Sequence, residues 1–570
     1  MIVLLYDIGF PQSESASILI RHFYEYFVFI AFVLLILRID YWGIFKRKVK
    51  YSRIELILFS VFILIWAFQY IVIKWMGFQS PMGSFISIRI IDILMIVLLF
   101  SVEVSIGSMS IAKLSTNPAV VFLLSFLLLI VIGTLLLLLP NSTTEGISII
   151  DALFTSTSAV CVTGLIVVDT ATAFSTMGQT IILVLIQAGG IGILTFTSFF
   201  GLYLRTSASF QSQVMIGDLL NENKLSDIFK FVVRVIIFTL SIELIFASVI
   251  YFTIDPLMFD GSIHMIRFSV FHSISAFCNA GFSTMTEGMY TDFLRFNYPF
   301  VLIISFLVVV GGLGFTIIFN FFKYLKYRFS RIVSLIFFKK ELPHRPRIIN
   351  INSRIVIITT TVLLVFGFIG FFLLEFNNSL NEHNLFGKIV TALFASVTPR
   401  TAGFNTIDMT ILAPASIILY FLLMLIGGSP GSTAGGIKTT TVALSIMNVI
   451  SIAKGKNRIE IYKREISVGS IRRAFAVISL SLLIVGLSVF LIQIIQPGLD
   501  TTKVIFECIS AFSTVGLTLG ITAQLVTASK AVIICTMFLG RIGTLTIIVA
   551  LFRKVSSLSY RYPKESILIS

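Results

Sequence analysis

The sequence has few charged residues, which make up 12% of its 570 positions, about half the ~25% of an average soluble domain. Apolar residues reach 57%, above the ~45–50% typical of soluble proteins, and they occur in long blocks. So little charge excludes a soluble enzyme, and so much apolar surface excludes a disordered chain. The long apolar blocks predict a polytopic membrane protein.

Cysteine and histidine are also scarce, with four and five residues respectively. None of the cysteines lies in a CxxC pair or beside a histidine cluster, which argues against a disulfide framework and against a zinc site. No dinucleotide fingerprint and no catalytic histidine arrangement is present. The sequence therefore predicts neither an enzyme nor a bound cofactor.

Eleven apolar blocks are long enough to cross a bilayer, which takes about 20 residues. They lie near 18–38, 54–76, 87–107, 119–139, 181–200, 229–253, 296–322, 354–374, 415–445, 474–495 and 530–552.

Basic residues are concentrated in alternate connectors, at 46–53, 323–354 and 454–473, and in the tail after about 553. With eleven spans, all of these segments fall on one side if the N-terminus is outside and the C-terminus is cytoplasmic. The net charge of +15 then reflects topology, and no nucleic-acid partner is expected. We predict a multi-pass protein of the cell (inner) membrane, in contact with the lipid bilayer.

A short pattern of small polar residues followed by glycine recurs four times, at 158–164, 275–281, 396–403 and 510–516. Counted from Ser396, the third copy has one extra residue. The four glycines are 113–122 residues apart. Each pattern follows an apolar stretch too short to span and precedes a span with its own glycine cluster. The predicted unit is a span, a re-entrant half-helix, a glycine-containing turn and a second span.

Four such units predict a pore, because non-helical backbone at membrane depth must be buried in protein or line a water-filled cavity. Glycine permits backbone conformations that other residues resist, and a ring of carbonyls can replace the hydration shell of a cation. The C-terminal ends of the half-helices would also favour a cation. A single such pattern is more often a helix-packing or loop feature, and the fourfold recurrence is what favours the pore.

At these segments the sequence resembles the transmembrane (pore) subunit of the Trk/Ktr/HKT superfamily of potassium transporters, and the Ktr type most closely. The similar stretches are 151–170, 278–282, 398–405 and 427–439, within a resemblance that covers about 110–570. It implies an all-α polytopic membrane protein with four pseudo-symmetric helix–pore loop–helix repeats around a central pore. The repeats would be 111–205, 206–328, 329–450 and 451–570, after an extra N-terminal region, 1–110, of about three transmembrane helices.

The resemblance implies a potassium selectivity filter at Gly164, Gly281, Gly403 and Gly516, with potassium as the transported ion. The residues before each glycine would supply the carbonyls, and they are Val162, Thr163, Asn279, Ala280, Thr401, Ala402, Thr514 and Val515. All four positions are glycine, as in the potassium-selective members of the superfamily. Potassium would be bound at the filter backbone alone.

The third inner span is interrupted at 427–441 by glycines and a proline, which make a continuous helix improbable. The resemblance implies an intramembrane loop there that gates the pore, although a simple helix kink is the alternative. The candidate gate residues are Gly427, Gly428, Gly431, Gly435, Gly436, Lys438 and Arg541. A charge such as Arg541 in a span must face the pore or pair with an acid, whereas Lys438 fits the gate or the membrane interface equally well.

Three acids follow the turns and are expected near the outer mouth, where they would concentrate cations. They are Asp169, Glu287 and Asp408. We expect Arg400 to fix the third turn through its carbonyls, and Glu243 to be a buried structural partner.

The resemblance also implies a homodimer and a separate cytosolic ring of RCK-type domains, which bind nucleotides and regulate the pore. The basic loops could meet such a ring, although topogenic charge alone explains them as well. The function predicted is potassium uptake driven by the membrane potential, with sodium dependence left open. The alternative is an ion-coupled secondary transporter with alternating access, since such proteins also contain broken helices.

Overall fold

The computed structural model describes residues 2–20, 23, 118–192, 228–338, 349–456, 458–462 and 464–543. Most of the first predicted span, at 18–38, and all of the second and third lie outside the described residues. So does the C-terminal tail.

The described part of the chain is mostly helical, as predicted. Its helices are α1 (Ile2–Gly9), α2 (Pro118–Leu137), α3 (Ile149–Val160), α4 (Thr170–Ala173), α5 (Thr176–Ile191), α6 (Ile228–Thr253), α7 (Ser262–Phe277), α8 (Asp292–Arg295), α9 (Tyr298–Leu313), α10 (Phe315–Phe338), α11 (Ile351–Glu375), α12 (Leu385–Val397), α13 (Pro414–Leu425), α14 (Thr439–Ala453), α15 (Val468–Ile495), α16 (Thr501–Ser513) and α17 (Thr527–Ile542). A short antiparallel hairpin, β1 (Glu460–Ile461) and β2 (Arg464–Glu465), pairs Ile461 with Arg464.

Four half-length helices, α3, α7, α12 and α16, each follow a longer apolar helix. They contain 12, 16, 13 and 13 residues, or about 18–24 Å at 1.5 Å per residue, which is less than the ~30 Å core of a bilayer. Polar side chains start three of them, since Ser148, Asn384 and Asp500 each accept a hydrogen bond from a backbone N–H of the first turn. Among the described residues, α6, α11 and α15 are long and apolar enough to cross a membrane.

The half-length helices are fastened to the preceding helices by equivalent hydroxyl groups. Ser156, Ser273 and Ser396 donate hydrogen bonds of 2.7–2.8 Å to backbone carbonyls of α2, α6 and α11. A Cβ at Gly367 of α11 would lie only 2.6 Å from the Ser396 hydroxyl, so glycine permits this close approach. The helix pairs are therefore packed through small residues, as in other membrane helix bundles.

The helices that follow the turns end at glycines in the left-handed region. Gly192, Gly314 and Gly543 have φ of 82–87°, which ordinary residues resist. The predicted span at 296–322 is broken, because α9 and α10 meet at Gly314 with a bend of 103°. The loop described below supplies the physical reason, since it forms hydrogen bonds to residues on both sides of Gly314.

The predicted interruption of the third inner span is present. α13 ends at Leu425 and α14 begins at Thr439, so the non-helical stretch is residues 426–438, called the third-unit loop from here on. Backbone hydrogen bonds close it, from Gly427 to Ile437 at 2.9 Å and from Thr439 to Gly428 at 3.1 Å. The stretch is thus a folded loop rather than a helix kink.

Candidate functional site

The four predicted turns share one unusual backbone conformation. In each, the glycine has φ between 70° and 93°, and the residue two positions before it also has a positive φ. Those preceding residues are Val162 (56°), Asn279 (60°), Thr401 (71°) and Thr514 (52°). Positive φ is a genuine outlier for a β-branched residue. It costs of order 1–3 kcal/mol and persists only where the surroundings impose it.

Equivalent hydrogen bonds hold the turns. Thr163, Ala280 and Val515 donate their backbone N–H groups to Ser158, Ser275 and Ser510 carbonyls at 2.7–2.8 Å. In the third turn, the corresponding bond runs from Ala402 to Thr398 at 3.0 Å. The structure therefore aligns Thr398, not Ser396, with the three serines. The third turn is one residue shorter than the others, and the expectation of an extra residue is wrong.

The four glycines form a closed ring in chain order. A Cβ at Gly281 would lie 2.7 Å from the Ala402 carbonyl oxygen. A Cβ at each of the other three glycines would lie even closer to a carbonyl oxygen. These pairs are Gly164 with Ala280, Gly403 with Val515 and Gly516 with Thr163. Each glycine thus faces the carbonyl of the residue before the next glycine, and the fourth returns to the first. No side chain fits at any of the four positions without displacing backbone.

The half-length helices point their C-terminal carbonyls at glycines of the inner helices. Gly189, Gly311 and Gly540 are so close to the carbonyls of Val160, Phe277 and Phe512 that a Cβ would overlap the oxygen. The negative ends of α3, α7 and α16 are therefore gathered around the ring. In the third unit the matching glycine, Gly427, faces its own loop and the Thr401 methyl group.

The third-unit loop is seated on the end of α9. The backbone N–H of Ser429 donates to Gly312 at 3.0 Å, and that of Thr433 donates to Gly311 at 3.4 Å. Beyond the bend, the N–H of Phe315 donates to Gly431 at 3.1 Å. A Cβ at Gly314 would lie 2.7 Å from the Ser429 hydroxyl. Loop and bend therefore fit one another only because Gly314 has no side chain.

The same loop also lies against two of the turns. The Thr433 hydroxyl is 3.4 Å from both the Phe277 carbonyl and the Asn279 side-chain oxygen of the second turn. Gly435 packs against the side chain of Thr514 in the fourth turn. The loop thus lies directly beside the glycine ring and crosses from the second to the fourth unit.

Arg541 joins three units at this loop. Its guanidinium donates to the carbonyl of Thr433 in the loop and, at 2.5 Å, to the carbonyl of Gly189 on α5. The Lys438 ammonium donates to the Ala434 carbonyl of the same loop at 2.6 Å. Arg541 therefore binds the predicted loop from the fourth unit, and Lys438 is the last residue of the loop and bonds within it.

The three predicted mouth acids have separate surroundings. Asp169 accepts a hydrogen bond from the Ala171 N–H at 3.0 Å and begins α4, and burial raises the pKa of its carboxyl group. Asp408 accepts from the Thr410 N–H at 2.8 Å. Glu287 is exposed. Two of the three carboxylates thus cap short helical turns.

The sequence also assigns roles to Glu243 and Arg400, and only the role of Glu243 agrees with the structure. Glu243 is buried and accepts a hydrogen bond from Gln187 at 2.9 Å, as expected of a structural partner. Among the described residues, the Arg400 guanidinium makes no hydrogen bond to a carbonyl of the third turn, and its Nε is buried without a partner. Its side chain lines a small cavity between α9 and α11, together with Gly428 of the loop.

Sequence reasoning missed two polar sites, one at Glu507 and the other at the pair of Lys530 and Asp151. Glu507 is fully buried in α16 and accepts hydrogen bonds from Thr522 at 2.5 Å and Thr518 at 2.8 Å. Lys530 and Asp151 form a 2.6 Å ion pair that joins the fourth and first units. A carboxylate or ammonium within an apolar helix is a signal of a buried partner, but the sequence does not identify the partner.

A family model described as "TrkH: Cation transport protein" matches residues 85–560 of this chain. The Ktr system potassium uptake protein B of Bacillus subtilis (strain 168) is 37% identical over 450 residues, which cover 78% of this chain and 95% of that protein. The potassium/sodium uptake protein NtpJ of Enterococcus hirae is 35% identical over 461 residues, which cover 80% and 97%. The crystal structure of the potassium transporter TrkH from Vibrio parahaemolyticus matches with a TM-score of 0.60 at 17% identity, covering 92% of this chain and 98% of that one.

Proposed function

The chain belongs to the TrkH family of cation transport proteins, and from this premise we propose that it takes up potassium across the cell membrane through the glycine ring. The curated relatives that it matches along nearly their whole length are named as potassium or potassium/sodium uptake proteins. The closed ring of four turns is the single observation that carries the proposal. Each of the four units contributes one glycine and one backbone carbonyl to this ring.

The filter carbonyls would be those of the residues before each glycine, as the resemblance implies. The observed ring supports this, because Thr163, Ala280, Ala402 and Val515 each bring a carbonyl oxygen to the neighbouring glycine. Carbonyl oxygens at close quarters can replace the water around a monovalent cation. The helix ends gathered there add negative potential.

The gate would be the third-unit loop held by Arg541. Hydrogen bonds from Arg541 to Thr433 and Gly189 connect the loop to the fourth and first units. A positive charge beside a cation pathway also raises an electrostatic barrier. Removing either the loop or the arginine would therefore open the pathway.

The driving force would be the membrane potential, worth about 2.3 kcal/mol per charge per 100 mV. The chain would work as a homodimer under a cytosolic RCK-type partner, with its N-terminus outside and its C-terminus cytoplasmic. The word "system" in the names of relatives supports a second component. The closed ring favours a pore over an alternating-access transporter, whose two halves would have to separate at this point.

The test is uptake of radioactive rubidium into proteoliposomes that contain this chain alone, under a potassium gradient, with and without sodium. Uptake that potassium competes away would support the proposal, and its sodium dependence would separate uniport from coupling. A variant that lacks 429–436 is measured in parallel, because a closed gate would otherwise hide the pathway. No uptake by either protein would contradict the proposal.

A further inference from the structure

The helix α10 leaves the membrane-crossing bundle at a sharp angle. It begins directly after Gly314 and runs at 103° to α9. α9 lies in the predicted span at 296–322 and contacts α7 and α12. A helix at that angle to α9 therefore runs along the membrane plane rather than across it. The first turn of α10 is buried, but residues 321–330 are mostly exposed.

The exposed part of α10 has an apolar stripe bordered by cations. Phe321, Phe322, Leu325 and Phe329 expose 41%, 53%, 46% and 69% of their surfaces. At 3.6 residues per turn these four side chains fall within a sector of about 100°.

Cations flank that sector. On the same helical projection, Lys326 lies on one side of the stripe and Arg328 on the other. The helix carries two further cations, Lys323 and Arg331, and no acid.

Phenylalanine on one side and lysine or arginine on the other is the pattern of a helix that lies in a membrane interface. The aromatic side chains bury themselves at the boundary of the acyl chains, while long basic side chains reach out to the headgroups. The four positive charges are complementary to anionic headgroups. A soluble protein would not leave such a stripe in water.

We propose that α10 is an in-plane interfacial helix that binds anionic lipid. Its phenylalanine stripe lies among the acyl chains, and Lys323, Lys326 and Arg328 contact the headgroups. The occupant of this surface is the lipid leaflet itself, not a protein partner.

Hydrogen bonds connect the start of α10 to the third-unit loop. The bend at Gly314 bonds to the loop on both sides, through Leu313, which accepts from the Ser429 hydroxyl, and through Phe315, which donates to Gly431. Lipid that keeps α10 in the interface therefore also fixes the position of the bend to which the loop is hydrogen-bonded. This second step depends on the proposed gate, and it predicts that anionic lipid lowers the basal flux of the chain alone.

The test places a nitroxide at position 325 or 330 of the full chain. Three native cysteines are buried and the exposed one, Cys535, is changed to serine. In vesicles of phosphatidylcholine and phosphatidylglycerol at 3:1, the label of Leu325→Cys should be accessible to oxygen and shielded from a water-soluble relaxing agent. The label of Ser330→Cys, on the opposite face, should show the reverse. This contrast should weaken in phosphatidylcholine alone.

Charge specificity is tested with matched pairs. Lys323→Gln/Lys326→Gln should reduce the contrast as the neutral lipid does. Arg472→Gln/Arg473→Gln, at the start of α15, removes the same charge from exposed positions elsewhere and should leave it unchanged.

A label at 325 that remains accessible to water in the anionic vesicles would overturn the proposal. So would shielding that appears only when a cytosolic protein is added. Rubidium uptake that does not respond to phosphatidylglycerol, with the label still shielded, would overturn the link to the loop. Absence of uptake in every lipid, by both the full chain and the variant that lacks 429–436, would instead contradict the proposed function, since the labelling result does not depend on transport.

Discussion

Replacing one glycine of the ring, by Gly164→Ser, should reduce the preference for potassium over sodium. Gly164 has φ of 86°, and a Cβ there would overlap the Ala280 carbonyl oxygen of the second turn. The left-handed backbone alone costs about 1–2 kcal/mol for an ordinary residue. The overlap must also move that carbonyl, which is one of the four proposed ligands. We expect discrimination to fall at least tenfold, or by about 1.4 kcal/mol.

The matched control is Gly146→Ser. Gly146 has nearly the same φ, 88°, but no atom lies within 4 Å of a Cβ built there. Both variants should lose stability from backbone strain, and Gly164→Ser should lose more because its Cβ also overlaps the Ala280 carbonyl oxygen. The loss is measured as the shift in thermal midpoint of the purified protein. Only Gly164→Ser should change selectivity, measured as the sodium concentration that halves rubidium uptake in proteoliposomes.

Two results would refute this reasoning. One is a folded Gly164→Ser protein with unchanged discrimination, which would mean that the ring does not select the ion. The other is an equal selectivity change in Gly146→Ser, which would mean that strain rather than ring geometry is responsible.

Three further predictions concern the contacts around the ring. Deleting 429–436 should raise basal rubidium flux of the chain alone, and a deletion with unchanged flux would argue against the gate. Arg541→Gln should raise the same flux, because it removes the charge and one of the bonds to Thr433 and Gly189. A fully folded variant with wild-type flux would exclude Arg541 from gating. In the ion pair of Lys530 and Asp151, a double-mutant cycle with methionine and asparagine should give a coupling of about 1–3 kcal/mol in unfolding free energy, and a coupling near zero would show that the pair is not structural.

The positions of the turns could be predicted because their spacing repeats in the sequence. Their backbone could not. Val162 and Thr514 are β-branched and favour extended geometry, so their positive φ values reflect the tertiary structure rather than local preference. The shared hydrogen bonds, which involve residues five positions apart in three of the turns, supply the constraint.

The errors have similar physical causes. A match of residue letters aligned Ser396 with the other serines, but the hydroxyl of Ser396 binds α11 and Thr398 takes the role in the turn. The apolar run at 296–322 contains a glycine cluster at 311–314, but the bend there is stabilised by bonds to Ser429 and Gly431, more than 100 residues away, which the run itself does not indicate. Arg541 was identifiable by its charge, whereas its partners Thr433 and Gly189 offer only backbone carbonyls, which no sequence pattern marks.

The most direct test of the account is a structure of the full chain determined in rubidium or thallium salt, with the ion located by anomalous scattering. If the ring is the filter, ion density lies on the axis of the ring, within coordination distance of the carbonyl oxygens of Thr163, Ala280, Ala402 and Val515. Bound ions elsewhere in the bundle, with none at the ring at saturating salt, would contradict it.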